Sequence, residues 1–274
     1  MLRAVSTYLY VKERLHPGIL DGLTRSGVQA IEIFAARQHL DYANRKAHVK
    51  EIAEWFRGSG IPLNSVHSPL YADYEWGRAG APPINLASID RAGLVEAMDE
   101  VKRALEIAEQ IPFRFLVQHL GLPNESFSEK KFESAMTSIE HLRAFAKPLG
   151  VRILLENIPN ELSRPDRLME MIQAAHFDDV GICFDFGHAH MMSSVREAYE
   201  IVRKLVCSTH VHDNAKVQDS HLWPWQGTID WKEAMELLRS APQSPPLLME
   251  LNEDEKVNPL DKLGETFDKL EAIA

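Results

Sequence analysis

The sequence predicts an α/β protein folded as a single (β/α)8 barrel over residues 1–274. Three observations carry this. Short apolar runs alternate with amphipathic, helix-length segments from end to end, the pattern of a parallel sheet. Eight such units fill 274 residues, close to the roughly 250 that a closed barrel takes. No linker, composition break or low-complexity stretch divides the chain, and no Gly-rich phosphate fingerprint follows the first strand, as open dinucleotide-binding sheets often show.

Taken in order, Arg3–Tyr10 reads as the first strand and Leu15–Ser26 as a helix stopped by Gly27. Val28–Phe34 is strand two, and Arg45–Arg57 a helix with Ile52, Trp55 and Phe56 on one face. Ile61–His67 is strand three. The long connection Leu70–Ser88, with Tyr71, Tyr74 and Trp76, has the length of a lid or binding loop. Asp90–Glu109 is a helix and Phe113–Leu120 strand four. Ser128–Leu149 is a helix with Ser128 as its N-cap. Val151–Glu156 is strand five, and Pro165–Ala175 a helix that opens on proline. Val180–Asp185 is strand six, a continuous apolar run that reads as buried on both faces. Val195–Lys204 is a helix, Cys207–His212 strand seven, and Ile229-Asp-Trp231 begins a helix to Arg239. Pro246–Leu251 is strand eight and Pro259–Ile273 the last helix.

Charge and composition narrow the function. Thirty Lys and Arg against 40 Asp and Glu leave a net charge of −10, which disfavours broad binding to nucleic acid. The first residues lack the apolar core of a signal peptide, and no apolar run reaches the ~18 residues of a membrane span. Cys183 and Cys207 read as reduced core cysteines. A soluble, cytoplasmic protein is expected; homo-oligomers are compatible with the sequence.

The polar residues carry the chemistry. His67, His119, Glu156, Asp185, His212 and Glu250 each end a different expected strand, and in a barrel those ends converge on the face that holds the active site. His188, Asp219 and His221 lie in adjoining loops. A single strand-end histidine is more often a satisfied structural residue, and Asp185 alone would cap the turn that follows its strand. Several carboxylates without a matching row of Lys or Arg repel one another, and a divalent cation relieves that repulsion. A mixed carboxylate–imidazole set suits Zn, Mn, Fe or Co better than Ca.

Glu156 in Leu-Leu-Glu-Asn, Asp185 in Phe-Asp-Phe-Gly-His, His212 in His-Val-His-Asp-Asn and Glu250 in Leu-Met-Glu-Leu resemble the sugar isomerase/epimerase superfamily of xylose-isomerase-like barrels, as does Ile229-Asp-Trp231. Trp225-Gln-Gly227 departs from the family's Gly-Glu-Gly. The resemblance implies one divalent metal, Zn or Mn, on Glu156, Asp185, His212 and Glu250. It implies Glu156 and Glu250 as acid/base groups that move a proton on a small sugar, keto sugar or polyol derivative through a metal-stabilised enediolate. His67, His119, His188, His221 and Trp223 would then bind the substrate. The related apurinic endonuclease family uses nine ligand positions for three zinc ions. This chain has candidates for all nine in His67, His119, Glu156, Asp185, His188, His212, Asp219, His221 and Glu250. The alternative is therefore a zinc-dependent phosphodiesterase. Only Arg37, Arg78, Arg164 and Lys216 stand where they could grip phosphates.

Overall fold

The computed structural model describes residues 1–44, 46–253 and 258–273. Eight strands form one sheet: β1 (Arg3–Ser6), β2 (Ala30–Phe34), β3 (Leu63–His67), β4 (Phe113–Gln118), β5 (Arg152–Glu156), β6 (Gly181–Asp185), β7 (Val206–His210) and β8 (Leu247–Met249). Each of β1 to β7 lies parallel beside the next in chain order, and β8 returns to pair with β1. Between β7 and β8 the barrel closes through a parallel bridge, Val211 with Met249. Valine 211 donates its N–H to the Leu248 carbonyl at 2.8 Å, and Glu250 donates to the Val211 carbonyl at 3.2 Å.

Helices α1 (Pro17–Arg25), α2 (Lys46–Ser59), α3 (Arg91–Leu105), α4 (Glu129–Ala146) and α5 (Pro165–Ala174) follow the first five strands. Two helices, α6 (Phe186–Met192) and α7 (Val195–Val202), follow β6; α8 (Trp231–Arg239) follows β7 and α9 (Pro259–Ala272) follows β8. The starts obey capping chemistry. Asp90, Ser128, Asp230 and Asn258 each accept from a backbone N–H in the first turn of the helix they open. Between sheet and helices lies the main core, which takes the outward-facing residues of the strands, such as Val5, Ile31, Ile33, Ile153, Leu155, Ile182 and Met249.

Three differences from the sequence reading bear on the site. The first strand stops at Ser6 rather than Tyr10, because Ser6 caps a 3-10 turn over Thr7–Tyr10, and Thr7 Oγ1 takes the Phe34 N–H. Helix α6 starts directly on Asp185, with no loop between. Strand β7 ends at His210, not His212. The expected helix start at Arg45 lies outside the described residues. Among the described residues no helix is long and apolar enough to cross a membrane.

Candidate active site

The barrel interior changes character in one step. Two small apolar clusters fill its lower part, Phe115, Val117, Leu154, Cys183 and Cys207 in one and Ala4, Ala30 and Leu248 in the other. Side chains two residues apart on a strand share a face. The residues two beyond Ala30, Leu154, Cys183 and Leu248 are Glu32, Glu156, Asp185 and Glu250. All four are buried, from 0 to 2% exposed.

Glu156, Asp185 and Glu250 converge on His210, with one donor atom of each of the four within 4.8 Å of the others. His210 Nδ1 lies 3.2 Å from Glu156 Oε1, 3.4 Å from Glu250 Oε2 and 3.8 Å from Asp185 Oδ2. Despite this crowding, Glu156 Oε1, Glu250 Oε1 and His210 Nδ1 are buried without a hydrogen bond. Buried polar atoms are rarely left so; Glu156 Oε1 and His210 Nδ1 face each other at 3.2 Å, with Glu250 Oε2 3.4 Å from the same nitrogen, and such a donor set fits a cation. Asp185 divides its labour. Its Oδ1 accepts the His188 N–H at 2.6 Å and caps α6, while Oδ2 points to the cluster. It is both the helix cap and a candidate ligand, through different oxygens.

His212, expected among these ligands, stands one layer higher. Residues 210 and 212 share a face, and the strand ends at 210, so His210 lies level with the carboxylates. His212 instead joins His188, Asp219 and His221 in a second group. Asp219 Oδ2 lies 3.0 Å from His188 Nε2 and 3.2 Å from His221 Nε2. His212 Nε2 is 3.9 Å from Asp219 Oδ1 and 3.0 Å from Asp185 Oδ2. The loop after β7 folds inward to achieve this, around the buried Asp213. That carboxylate accepts from the backbone N–H of Asn214, Trp225 and Ile229 and from Trp231 Nε1. Gly227 permits it, since a Cβ there would lie 2.3 Å from Asp213 Oδ1. Gly187 likewise leaves room for the His212 ring, which a Cβ would meet at 2.0 Å.

A third group joins His67 and His119 to the other oxygen of Glu156, Oε2, at 3.4 and 3.1 Å. Three histidines of these outer groups have the second ring nitrogen anchored to a backbone carbonyl: His67 to Ser68, His188 to Asn157, and His221 to Glu250. Anchors of this kind orient the other nitrogen as a ligand.

The electrostatics follow. Burial alone would raise the carboxyls, but His210 and His119 hold Glu156 well below the usual carboxylate range, and His188 and His212 do the same in lesser degree for Asp185. Burial lowers a histidine, yet the surrounding acids push His210 and His188 well above the ordinary value. His119 is lowered, because desolvation outweighs its one carboxylate. His221 is brought up to about 9, Asp219 overcoming burial.

An aromatic wall borders the mouth. Phe34 stacks on His67 at 4.4 Å, and Tyr8 sits 5.0 Å from Phe34 and 4.9 Å from His221. Trp76, from the long loop after β3, packs edge-on against Phe34 at 5.2 Å. Trp223 is placed otherwise than expected. It is 1% exposed, belongs to the main core and lies under Lys262 Nζ, 4.5 Å from the ring centre, so it offers no open face to a sugar. His210, Glu32 and Tyr8 are the site residues that the sequence reading left unassigned. The signal for Glu32 was a lone carboxylate inside an apolar strand.

Fold and donor set together define a barrel with an acidic, histidine-rich centre at the C-terminal ends of its strands. The chain belongs to the family of xylose isomerase-like TIM barrels, whose model matches residues 20–273. It is 23% identical over 173 residues to an inosose isomerase of Halalkalibacterium halodurans, covering 59% of this chain and 61% of that one. Matches to such curated relatives span 54–69% of the relatives' lengths. Among solved structures, a D-tagatose 3-epimerase-like protein superposes with a TM-score of 0.79 at 22% identity, covering 100% of this chain and 98% of that one. An IOLI protein with a bound zinc atom gives 0.77 at 19% identity, covering 99 and 96%.

Proposed function

We propose that the chain is a divalent-cation-dependent isomerase or epimerase of a small sugar, keto sugar or polyol derivative. The observation that carries this is the convergence of Glu156, Asp185, His210 and Glu250, with buried donor atoms left unpartnered. These four would hold the ion, His210 standing where the family resemblance had placed His212. Once bound, the cation would supply positive charge to the adjacent carbonyl and hydroxyl oxygens of a substrate.

The two glutamates approach His210 with different oxygens to spare. Glu156 turns Oε2 toward His119 and His67, while Glu250 has Oε1 free of any hydrogen bond. One carboxylate takes the proton from the carbon beside the carbonyl, and the other returns it from the opposite side. A base must be ionised at neutral pH, and the lowered Glu156 carboxyl meets that condition. His188 and His221 would orient substrate oxygens, and the Tyr8–Phe34–Trp76 wall would cover an apolar sugar face. The relatives named for inosose and tagatose chemistry support the substrate class.

A second reading, hydrolysis of a phosphodiester by several zinc ions, draws on the two further donor groups around His67 and around Asp219. The net charge of −10 weighs against it. So do three of the four rim cations, since Arg37 is paired with Glu100, Arg78 with Asp73 and Arg164 with Asp166. Elemental analysis of metal-replete protein tests the choice, together with assays on keto sugars and abasic DNA. Solvent deuterium entering a keto sugar beside its carbonyl is the expected result. Two or more tightly held zinc ions with cleavage of abasic DNA would overturn it.

A further inference from the structure

The proposed ion needs His210 to present one particular nitrogen. A neutral imidazole carries its proton on either nitrogen, and its partners decide which. Nε2 of His210 lies 3.1 Å from Glu32 Oε1, while Nδ1 faces Glu156, Glu250 and Asp185. An ionised carboxylate only accepts, so Nε2 donates its hydrogen to Glu32, whereas Nδ1 is buried without a hydrogen bond and is the nitrogen left to ligate. Glu32 is held in turn. Ser65, its neighbour in the β2–β3 ladder, donates Oγ–H to Oε2 at 2.7 Å, and Asn64 Nδ2 donates to Ser65 Oγ at 3.3 Å. Both Glu32 and His210 are 0% exposed.

The arrangement differs from the other histidines of the site. His67, His188 and His221 are anchored by neutral backbone carbonyls, but His210 by a full negative charge. A carboxylate in the middle of a buried strand is expensive to keep unless it is paired or used. Its one imidazole partner is also the histidine that meets all three candidate ligand carboxylates.

We propose that Glu32 is a positioning residue for the ion: through His210 it fixes the tautomer, aims Nδ1 at Glu156, Asp185 and Glu250, and strengthens that nitrogen as a donor. Glu32 itself touches neither ion nor substrate. This rests on the metal reading above.

The test is titration of metal-free protein with Co2+ alone, followed by its visible absorption. Glu32→Ala should bind about 10- to 100-fold more weakly than the native chain. Glu32→Gln, which keeps an acceptor and loses the charge, should fall between them. A merely structural role would lower the melting temperature of the metal-free protein and leave Co2+ affinity unchanged; unchanged affinity in both variants overturns the proposal. Should the variants fail to fold, long-range 1H–15N spectra of the zinc-loaded native protein decide. His210 with a proton on Nε2 and the ion on Nδ1 is expected, and the ion on Nε2 overturns it. A native chain that takes up no Co2+ removes the metal reading itself, an outcome distinct from a native chain that binds and variants that bind equally.

Discussion

Two donor clusters share the barrel mouth but are held differently. The lower one, Glu156, Asp185, His210 and Glu250, is fixed at or beside the ends of four strands and is 0–2% exposed. The upper one, His188, His212, Asp219 and His221, depends on a helix start and a loop, and the Asp219 side chain is 35% exposed. A strand end leaves a side chain little freedom, because ladder hydrogen bonds on both sides set its height and direction. A loop must be folded by its own contacts, and here Asp213 gathers four donors to do so. The lower cluster is thus preorganised by the fold, and the upper one by local chemistry that substitutions can undo.

The largest expected effect breaks the lower cluster. Asp185→Ala removes a ligand oxygen and the α6 cap together, and should abolish metal retention by elemental analysis and all turnover. Glu250→Gln keeps the shape and removes one of the two carboxylates that move the proton, so kcat should fall by about 10²- to 10⁴-fold. The upper cluster should give less. Gly187→Ala drives a methyl into the His212 ring, costing about 1–3 kcal/mol of stability by denaturant unfolding. The ion on His210 should stay bound in that variant, and loss of that ion would show the two clusters to be one. The smallest effect uses a buried histidine outside both clusters. His39, 0% exposed and hydrogen-bonded to the Glu13 carbonyl, with no carboxylate paired to it among the described residues, is pushed down to about 4 by burial. Its folded value lies below the ordinary 6.5, so the unfolded chain binds the extra proton. Stability therefore falls as pH drops from 6.5 toward 4. His39→Asn should flatten that slope of melting temperature by a few degrees, about 3 kcal/mol at most, without touching metal content.

Much of this was legible in the chain. Alternating apolar runs and amphipathic segments give all eight strands within a few residues, and the strand-end rule finds Glu156, Asp185, Glu250, His67 and His119. The choice between His210 and His212 was not legible. Both point inward, and only the level at which β7 stops, together with the register shift between β6 and β7 at Ile182/Cys183, decides which meets Glu156. The inward fold of Asp219 was also hidden, because it rests on three backbone N–H groups and the Trp231 indole, collected by Asp213 from up to 18 residues away. Glu32 in Ala-Ile-Glu-Ile-Phe obeyed the same rule as the other acids, a carboxylate that an apolar strand must account for.

The closure of the barrel adds a mechanical consequence. Sheet neighbours from β8 through β1 to β7 are laddered along several residues, whereas β7 meets β8 through the Val211–Met249 bridge. His210 and Glu250 stand immediately beside that bridge, one on each side of the seam. A group tying these two side chains together would act as a clasp on the joint with the shortest ladder. Amide hydrogens at Val211 and Glu250 should accordingly exchange with solvent faster in metal-stripped protein than in loaded protein, while those of β4 and β5 hardly change.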